Sequence, residues 1–363
     1  MYLHGKDRSY IDLISGIGVS IVGHRHPKVV QAIKDQVDQY LHLMVYGEYV
    51  QTPQVKLAQA LSATLPDSLN NVYFLNSGSE AIEGAIKLAK RFTGKPKIVT
   101  CKNAYHGSSQ GALSASGDEN FKQNFRPLVP GFKHIKFGCE HGMRHIDENV
   151  AAVVIETVQG EAGVRQADQA YFQMLQQRCD DMGALLIFDE IQCGFGRTGK
   201  LWAFEHYGVV PDILTSAKGM GGGMPIGCFI SSQEIMGVLK NDPILGHIST
   251  FGGHPVNCAA SLATLQVIQE EGLLAAVPVK EALIKERLQH PKIKAIRSIG
   301  LMMAVEFESF EVVKPIIDRA IELGVITDWF LFNDYSMRIA PPLTITKEEL
   351  EKACEVILQA INS

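Results

Sequence analysis

Tryptophan is scarce in this chain, with two in 363 residues, and only 20% of the residues are charged. Lys and Arg total 34 against 39 Asp and Glu, a net charge of −5. Without a basic excess, nothing in the charge balance points to nucleic acid or to an anionic membrane surface as a partner. The seven cysteines (Cys101, Cys139, Cys179, Cys193, Cys228, Cys258 and Cys354) include no C-x-x-C pair. An odd, scattered set excludes a disulfide framework and reads as the reduced thiols of a cytoplasmic protein. No apolar run is long enough to span a bilayer. The opening MYLHGKDRSYIDL lacks the basic-then-apolar pattern of a signal peptide. Internal repeats and low-complexity segments are also missing. What the chain has is apolar content, 46% of its residues, and enough length for a large core and two domains.

The apolar spacing predicts helices over Pro27–Met44 and Val55–Leu65. The period then shortens. Val72–Leu75, Ile98–Cys101, Ala151–Ile155, Ala184–Phe188, Ile213–Leu214 and Ile226–Ile230 read as short buried strands, and Ser79–Phe92 and Gln169–Met182 as helices between them. This alternation predicts an α/β fold, a mostly parallel sheet with helices on both faces. After about His254 the pattern becomes a smaller α+β unit. Helices are expected at Ala259–Glu271, Val279–His290, Phe310–Leu323 and Lys347–Ile361, and strands at Gly300–Phe307 and Ser336–Ala340. Two connections, Ala115–Lys133 and Phe195–Val210, are long for structureless loops and are functional candidates on that ground.

Five motifs compete for chemistry. GFGRTGK (Gly194–Lys200) matches G-x-G-x-x-G and nearly matches a phosphate loop, with Leu201 where Ser or Thr should stand. Either nucleotide reading needs a helix at the end of the loop, and LWAFEHYG has no clean helical stripe. NSGSEAIEGA (Asn76–Ala85) lies at a strand-to-helix junction, where Ser77, Gly78 and Ser79 either hold a phosphate or cap the helix with Glu80. LLIFDEIQCG places Asp189 at the carboxyl end of a strand, the edge where open α/β sheets bind ligands. CEHGMRH offers Cys139, His141 and His145 at metal-like spacings but reads as a solvated loop, so no metal is expected. ILTSAKGMGGGMPIG contains one charge, Lys218, between an apolar strand and a glycine run.

Taken together, a phosphate-binding helix start, a strand-end Asp and a strand-end Lys suit one ligand, a pyridine aldehyde with a phosphate arm. Lys218 would form the Schiff base. Asp189 would keep the pyridine nitrogen protonated, and Gly78 and Ser79 would anchor the phosphate. Apolar surroundings would favour the neutral, nucleophilic amine.

The chain resembles the class III pyridoxal-phosphate aminotransferases of fold type I, the ornithine, N-acetylornithine and 4-aminobutyrate group. The likeness runs through FLNSGSEAIEGAIKLAK, AYHGSSQGALS, VVIETVQGEAGV, LLIFDEIQCGFGRTGKLWAFEHYGVVPDI, SAKGMGGGMPIG, HISTFGGHPVNCAAS and MRIAPPLTIT, in that order. It implies pyridoxal 5'-phosphate as cofactor, with Ser77, Gly78 and Ser79 at its phosphate and Tyr105 stacked on its ring, followed by His106. Asp189 falls to the ring nitrogen, Gln192 to the ring hydroxyl and Lys218 to the Schiff base. Glu156 and Glu161 lie on the strand and loop before them. The resemblance also implies a homodimer in which Thr250 reaches the phosphate of the neighbouring subunit. The division it implies is a large cofactor domain over 45–255 and a small domain from 1–44 and 256–363.

A ping-pong transfer from an ω-amino donor to 2-oxoglutarate follows from the same resemblance, with Glu161 pairing Arg338 while the donor is bound and releasing it to the oxo acid. Two departures bear on the donor. Ser108 stands where many relatives carry Arg, with Arg25 and Arg126 as possible substitutes. Ile17 stands where ornithine aminotransferases carry Tyr. A 4-aminobutyrate or other ω-amine transaminase and an aminomutase are the alternatives on this scaffold. The chain also starts late relative to that family, at what looks like a strand pair.

Overall fold

A seven-stranded sheet organises the middle of the chain. The computed structural model describes residues 1–44 and 49–363, so the expected domain boundary at 45 falls outside the described residues. Two short strands come first, β1 (Tyr2–His4) and β2 (Ser9–Asp12). The large sheet follows with β3 (Asn71–Leu75), β4 (Lys97–Cys101), β5 (Phe132–Ile135), β6 (Val150–Glu156), β7 (Leu185–Asp189), β8 (Ile213–Ser216) and β9 (Gly227–Ser231). Its order is β3-β9-β8-β7-β6-β4-β5. Strand β9 runs antiparallel to both its neighbours, and every other pairing is parallel.

The reason β6 and β7 read as unbroken apolar runs is that both their faces are covered. Val153 and Ile155 join one core with Phe172 and Leu175 of the helix Gln169–Met182. Ala152 and Val154 join the other with Ile82 and Ala85 of the helix Gly78–Thr93.

The last third of the chain adds β10 (Ala295–Ile299), β11 (Met302–Glu306), β12 (Val325–Ile326), β13 (Asp328–Phe330) and β14 (Asn333–Ile339). Four of these form an antiparallel sheet in the order β10-β11-β14-β13. The fifth, β12, pairs in parallel with β2, Val325 opposite Ile11, and so ties the first residues to this part.

Most expected elements stand within a few residues of their predicted limits, and the differences have local causes. The first helix stops at Gln39, because Tyr40 is extended. The expected Val279–His290 helix begins earlier, at Leu273, and carries Pro278 inside it. A proline within the first two turns sacrifices few intrahelical bonds, so it does not have to mark the start. The Ala115–Lys133 connection contains a turn of 3-10 helix at Gln123–Phe125 and ends in β5, an edge strand paired only with β4. CEHGMRH is a 3-10 helix over Glu140–His145 rather than a loop, seated by the buried Met143.

GFGRTGK fails both nucleotide readings. No α-helix follows it, only a 3-10 turn at Ala203–His206. Its glycines serve packing instead: Gly196 and Gly199 both have φ +90, and a Cβ on Gly196 would strike Leu274 and Leu343 at 2.7 and 2.8 Å.

Candidate active site

The parallel register sets Glu156, Asp189 and Thr215 side by side at the carboxyl ends of β6, β7 and β8. Two residues beyond β8, Lys218 turns out of the sheet with φ +46 and enters the wall of a cavity of about 420 Å³. Ser77, Gly78, Tyr105, Glu156 and Asp189 line the same cavity. Sequence reasoning named all six. Among the described residues, nothing hydrogen-bonds or pairs with the Lys218 amine. Burial lowers its pKa, against an upward pull from Glu161 and Asp189.

The helix Gly78–Thr93 aims its first turn at this cavity. Ser77 accepts a bond from Glu80 N at 3.2 Å, so the capping reading holds. The Glu80 carboxylate, however, turns to Asn76, accepting from its backbone N at 2.7 Å and its side chain at 2.9 Å. Capping and anion binding are compatible here: the N–H groups of the first turn carry the positive end of the helix dipole toward the cavity. At Gly78 a Cβ would press on the Ile191 side chain at 3.0 Å, so the close packing favours glycine there.

Ser79 also braces the Tyr105 segment. Its hydroxyl accepts from Ser108 N at 3.2 Å, and Gly107, with φ +129, passes so close that a Cβ would sit 2.1 Å from that oxygen. His106 lies buried behind Tyr105. Its Nδ1 is 2.7 Å from Asp189 Oδ2, and its Nε2 is 3.1 Å from Thr100 Oγ1. The other Asp189 oxygen accepts from Ile191 N at 3.0 Å. Glu156 accepts from Tyr105 N and Gly160 N, each at 3.2 Å. Burial, and then the charge on Asp189, push Glu156 well above the usual carboxylate range despite those bonds.

Glu161 lines the cavity as well, and it is paired with Arg338, which borders the small neighbouring cavity rather than this one. The guanidinium gives Nη1 to Oε1 and Nη2 to Oε2, both at 2.9 Å. Gln192 donates to Oε1 at 3.0 Å and Leu331 N to Oε2 at 3.2 Å. Burial works to raise the Glu161 pKa, but Arg338 and Gln192 outweigh it and hold it at about 2. Asp328, opposite Arg338 in the β13–β14 register, takes Nε at 2.9 Å. Sequence reasoning missed this second partner, although Asp328 starts a strand immediately before the aromatic pair Trp329–Phe330.

Ile17 lies apart from the large cavity and flanks a small one of about 10 Å³, shared with Gln192, Arg197, Phe330 and Arg338. Ser15, Gly16, Ile17 and Gly18 all have positive φ. For a β-branched residue this is a rare conformation. Asp12 holds the turn, accepting from Ile14 N at 2.8 Å and Ser15 N at 3.0 Å while paired with His24.

Thr250 does not join the cavity in this single chain. It is exposed, and its carbonyl lies 2.9 Å from His42 Nε2. Ser108 is exposed, 3.3 Å from the Tyr105 hydroxyl. Neither Arg25 nor Arg126 lines the cavity, and Arg126 pairs with Glu119 at 2.6 Å. Sequence reasoning also passed over Glu190, a fully buried carboxylate beside Asp189. It accepts from Thr157, Ala203 N and Phe204 N. An acid next to a strand-end acid was the signal for it.

The model of the family "Aminotransferase class-III" matches residues 1–361. An acetylornithine aminotransferase from Methanopyrus kandleri is 40% identical over 361 residues, 99% of this chain and 91% of that protein. The chain belongs to the class-III aminotransferases. It is a transaminase, and it is also similar to an acetylornithine aminotransferase from Methanocaldococcus jannaschii, at 39% identity over 95% of this chain and 87% of the relative. Among solved structures, an ornithine aminotransferase from Toxoplasma gondii aligns with TM-score 0.90 and 30% identity over 98% of this chain and 86% of that one. A transaminase from Virgibacillus aligns with TM-score 0.92 and 30% identity over 99% and 90% of the two chains. The fold of this aminotransferase is fold type I, with the mostly parallel sheet expected of it.

Proposed function

We propose that this aminotransferase moves an amino group from an ω-amino donor of the acetylornithine or ornithine type to 2-oxoglutarate, with pyridoxal 5'-phosphate as cofactor. The observation that carries the reading is the buried pair that Arg338 makes with Glu161, a residue lining the same cavity as Lys218. The donor class rests on the names of the curated relatives. Two substrates, one presenting an amine and the other a carboxylate, must use one cavity in turn, and a cation that can be masked and unmasked answers that need.

The residues suit the cofactor. The Ser77–Ser79 helix start would take the phosphate, Tyr105 would lie against the ring, and Gln192 would reach the ring hydroxyl. Asp189, oriented by His106, would meet a protonated ring nitrogen. When bound, the cofactor supplies an electron sink for charge developing at the donor carbon. The chain supplies the rest. Lys218, desolvated and untethered, would take the proton from the donor carbon as a neutral amine and, as an ammonium, deliver it to the cofactor's aldehyde carbon rather than back to the donor. Glu161 neutralises Arg338 while the amine donor occupies the cavity. When it withdraws, the guanidinium can grip the oxo acid's carboxylate through two N–H bonds.

The same reading extends to a homodimer in which the exposed Thr250 completes the partner's phosphate site, and to a large unit over 45–255 with a small one from 1–44 and 256–363. The test is a screen of single amines with 2-oxoglutarate, following glutamate. Acetylornithine or ornithine should rank first by kcat/KM. A preference for simple alkylamines would refute the donor assignment, and activity only with other oxo acids would refute the acceptor.

A further inference from the structure

Arg197 stands in the middle of GFGRTGK, outside the cavity that holds Lys218. It is one of the largest fully buried side chains, 1% exposed, and no carboxylate pairs with it among the described residues. Burial holds its pKa down to about 10, with Asp12 pulling the other way. An unpaired buried guanidinium is costly to keep, and an apolar side chain of similar size would avoid that cost.

The Arg197 Nε and Nη2 are buried without a partner among the described residues, and only Nη1 makes contacts. Its Nη1 donates to Leu301 O at 3.0 Å and also to Pro341 O. Its own carbonyl accepts from Leu301 N at 3.0 Å. Leu301 immediately precedes β11, and Pro341 lies two residues beyond β14. These are neighbouring strands, with Ala304 opposite Arg338 and Met303 opposite Ile339. The approach is close: a Cβ on Gly300 would fall 2.6 Å from the Thr198 backbone and 2.7 Å from the Arg197 carbonyl. The same loop is pinned at its root to the cofactor edge of the sheet, where Gly194 N donates to Glu190 O at 3.0 Å and the Glu190 carboxylate gathers Ala203 N and Phe204 N. Arg197 and Arg338 then flank the same small cavity.

We infer that Arg197 is a positioning residue for Arg338: it clamps the ends of β11 and β14 to the loop leaving Asp189 and so fixes where the substrate-facing guanidinium stands relative to Lys218. The inference rests on Arg338 receiving the acceptor's carboxylate, as proposed above.

The experiment compares Arg197→Met and Arg197→Lys holoenzymes on three acceptors: 2-oxoglutarate and pyruvate, which carry an α-carboxylate, and butanal, which carries none. Thermal melts and the visible absorbance of the bound cofactor are recorded alongside. Misplacing a gripping group by about an ångström costs on the order of 10-fold or more. Arg197→Met should therefore raise KM for both oxo acids about 10-fold while butanal kcat/KM stays within about twofold. Arg197→Lys, a shorter cation, should fall between Met and wild type. Should Arg197→Met fail to fold, Arg197→Lys decides by the same split. Equal losses on all three acceptors, or an unchanged KM for the oxo acids, overturn the inference. Arg338→Lys run in parallel separates the layers. If it leaves the oxo-acid KM untouched, the acceptor reading falls and this inference with it. If it raises KM while Arg197→Met does not, the clamp alone is wrong.

Discussion

Glu161 and Arg338, 177 residues apart in sequence, meet oxygen to nitrogen in two bonds of 2.9 Å, each side chain about 5% exposed. Such a pair repays its desolvation only when the remaining polar atoms are also satisfied. Here they are. Gln192 and Leu331 N complete the carboxylate, while Asp328 and the Trp329 carbonyl complete the guanidinium. Phe330 lies beneath the guanidinium at 4.4 Å. Asp328 matters for any switch, because Arg338 keeps an anionic partner when Glu161 leaves.

Replacing Glu161 should be felt in both stability and substrate choice. Glu161→Gln leaves a buried charge half paired and should cost roughly 2–4 kcal/mol at neutral pH. The folded pKa of Glu161, about 2, lies below its ordinary 4.5. The pair's contribution is therefore full above about pH 4.5 and is lost as pH falls toward 2. Denaturant melts of wild type and variant should converge across that window, and a constant gap would contradict the pairing. In the kinetics, Glu161→Ala should shift kcat/KM toward α-amino over ω-amino donors by about 10-fold or more. An unchanged ratio would remove the switch.

Lys218 should carry a stability penalty of its own. Its pKa is lowered in the fold, so the unfolded chain binds the proton more readily and stability rises with pH through that range. Lys218→Met removes the penalty. The cofactor-free variant should melt higher than cofactor-free wild type near pH 7, with the gap closing as pH rises toward 10. Transamination should fall by about 10³-fold or more. A variant that melts lower at neutral pH would show that the amine has a partner in the fold.

The buried Glu190 carboxyl gives the opposite slope to that of Glu161. Burial pushes it up to about 7, although the N–H groups of Ala203 and Phe204 draw it down. With the folded value above the ordinary 4.5, its contribution is full below pH 4.5 and declines as pH rises through 7. That interval corresponds to roughly 3 kcal/mol at 1.36 kcal/mol per unit. Glu190→Gln cannot titrate, so urea melts between pH 5 and 8 should fall less steeply for the variant than for wild type. Parallel slopes would mean that Glu190 is ionised throughout.

The parts of the site visible in the sequence are those anchored to regular elements. Asp189 follows from ending an apolar strand, Lys218 from its isolation in an apolar run, and Ser77–Ser79 from the strand-to-helix junction, while Glu156 came from the family resemblance. Ligands gather at that edge of an open sheet, so locating the strands locates the residues. Other features depended on partners distant in sequence. Asp328 reaches Arg338 only through the β13–β14 register. His106, which lines the cavity, is held there by Asp189 and Thr100, and that bracing could not be read from sequence. The antiparallel setting of β9 was also hidden, because a buried strand reads as apolar in either direction. GFGRTGK shows why glycine patterns alone are weak signals: glycines chosen for close packing spell the same letters as glycines chosen for phosphate.

The pairing of β2 with β12 gives the ribosome an order of events. Ile11 leaves the exit tunnel more than 300 residues ahead of Val325, its partner. At roughly 5–20 residues per second, that strand edge waits on the order of 15 to 60 s before it can be covered. Asp12, at the end of the same strand, organises the left-handed turn that carries Ile17. The first wall of the pocket to be synthesised is therefore among the last to be fixed.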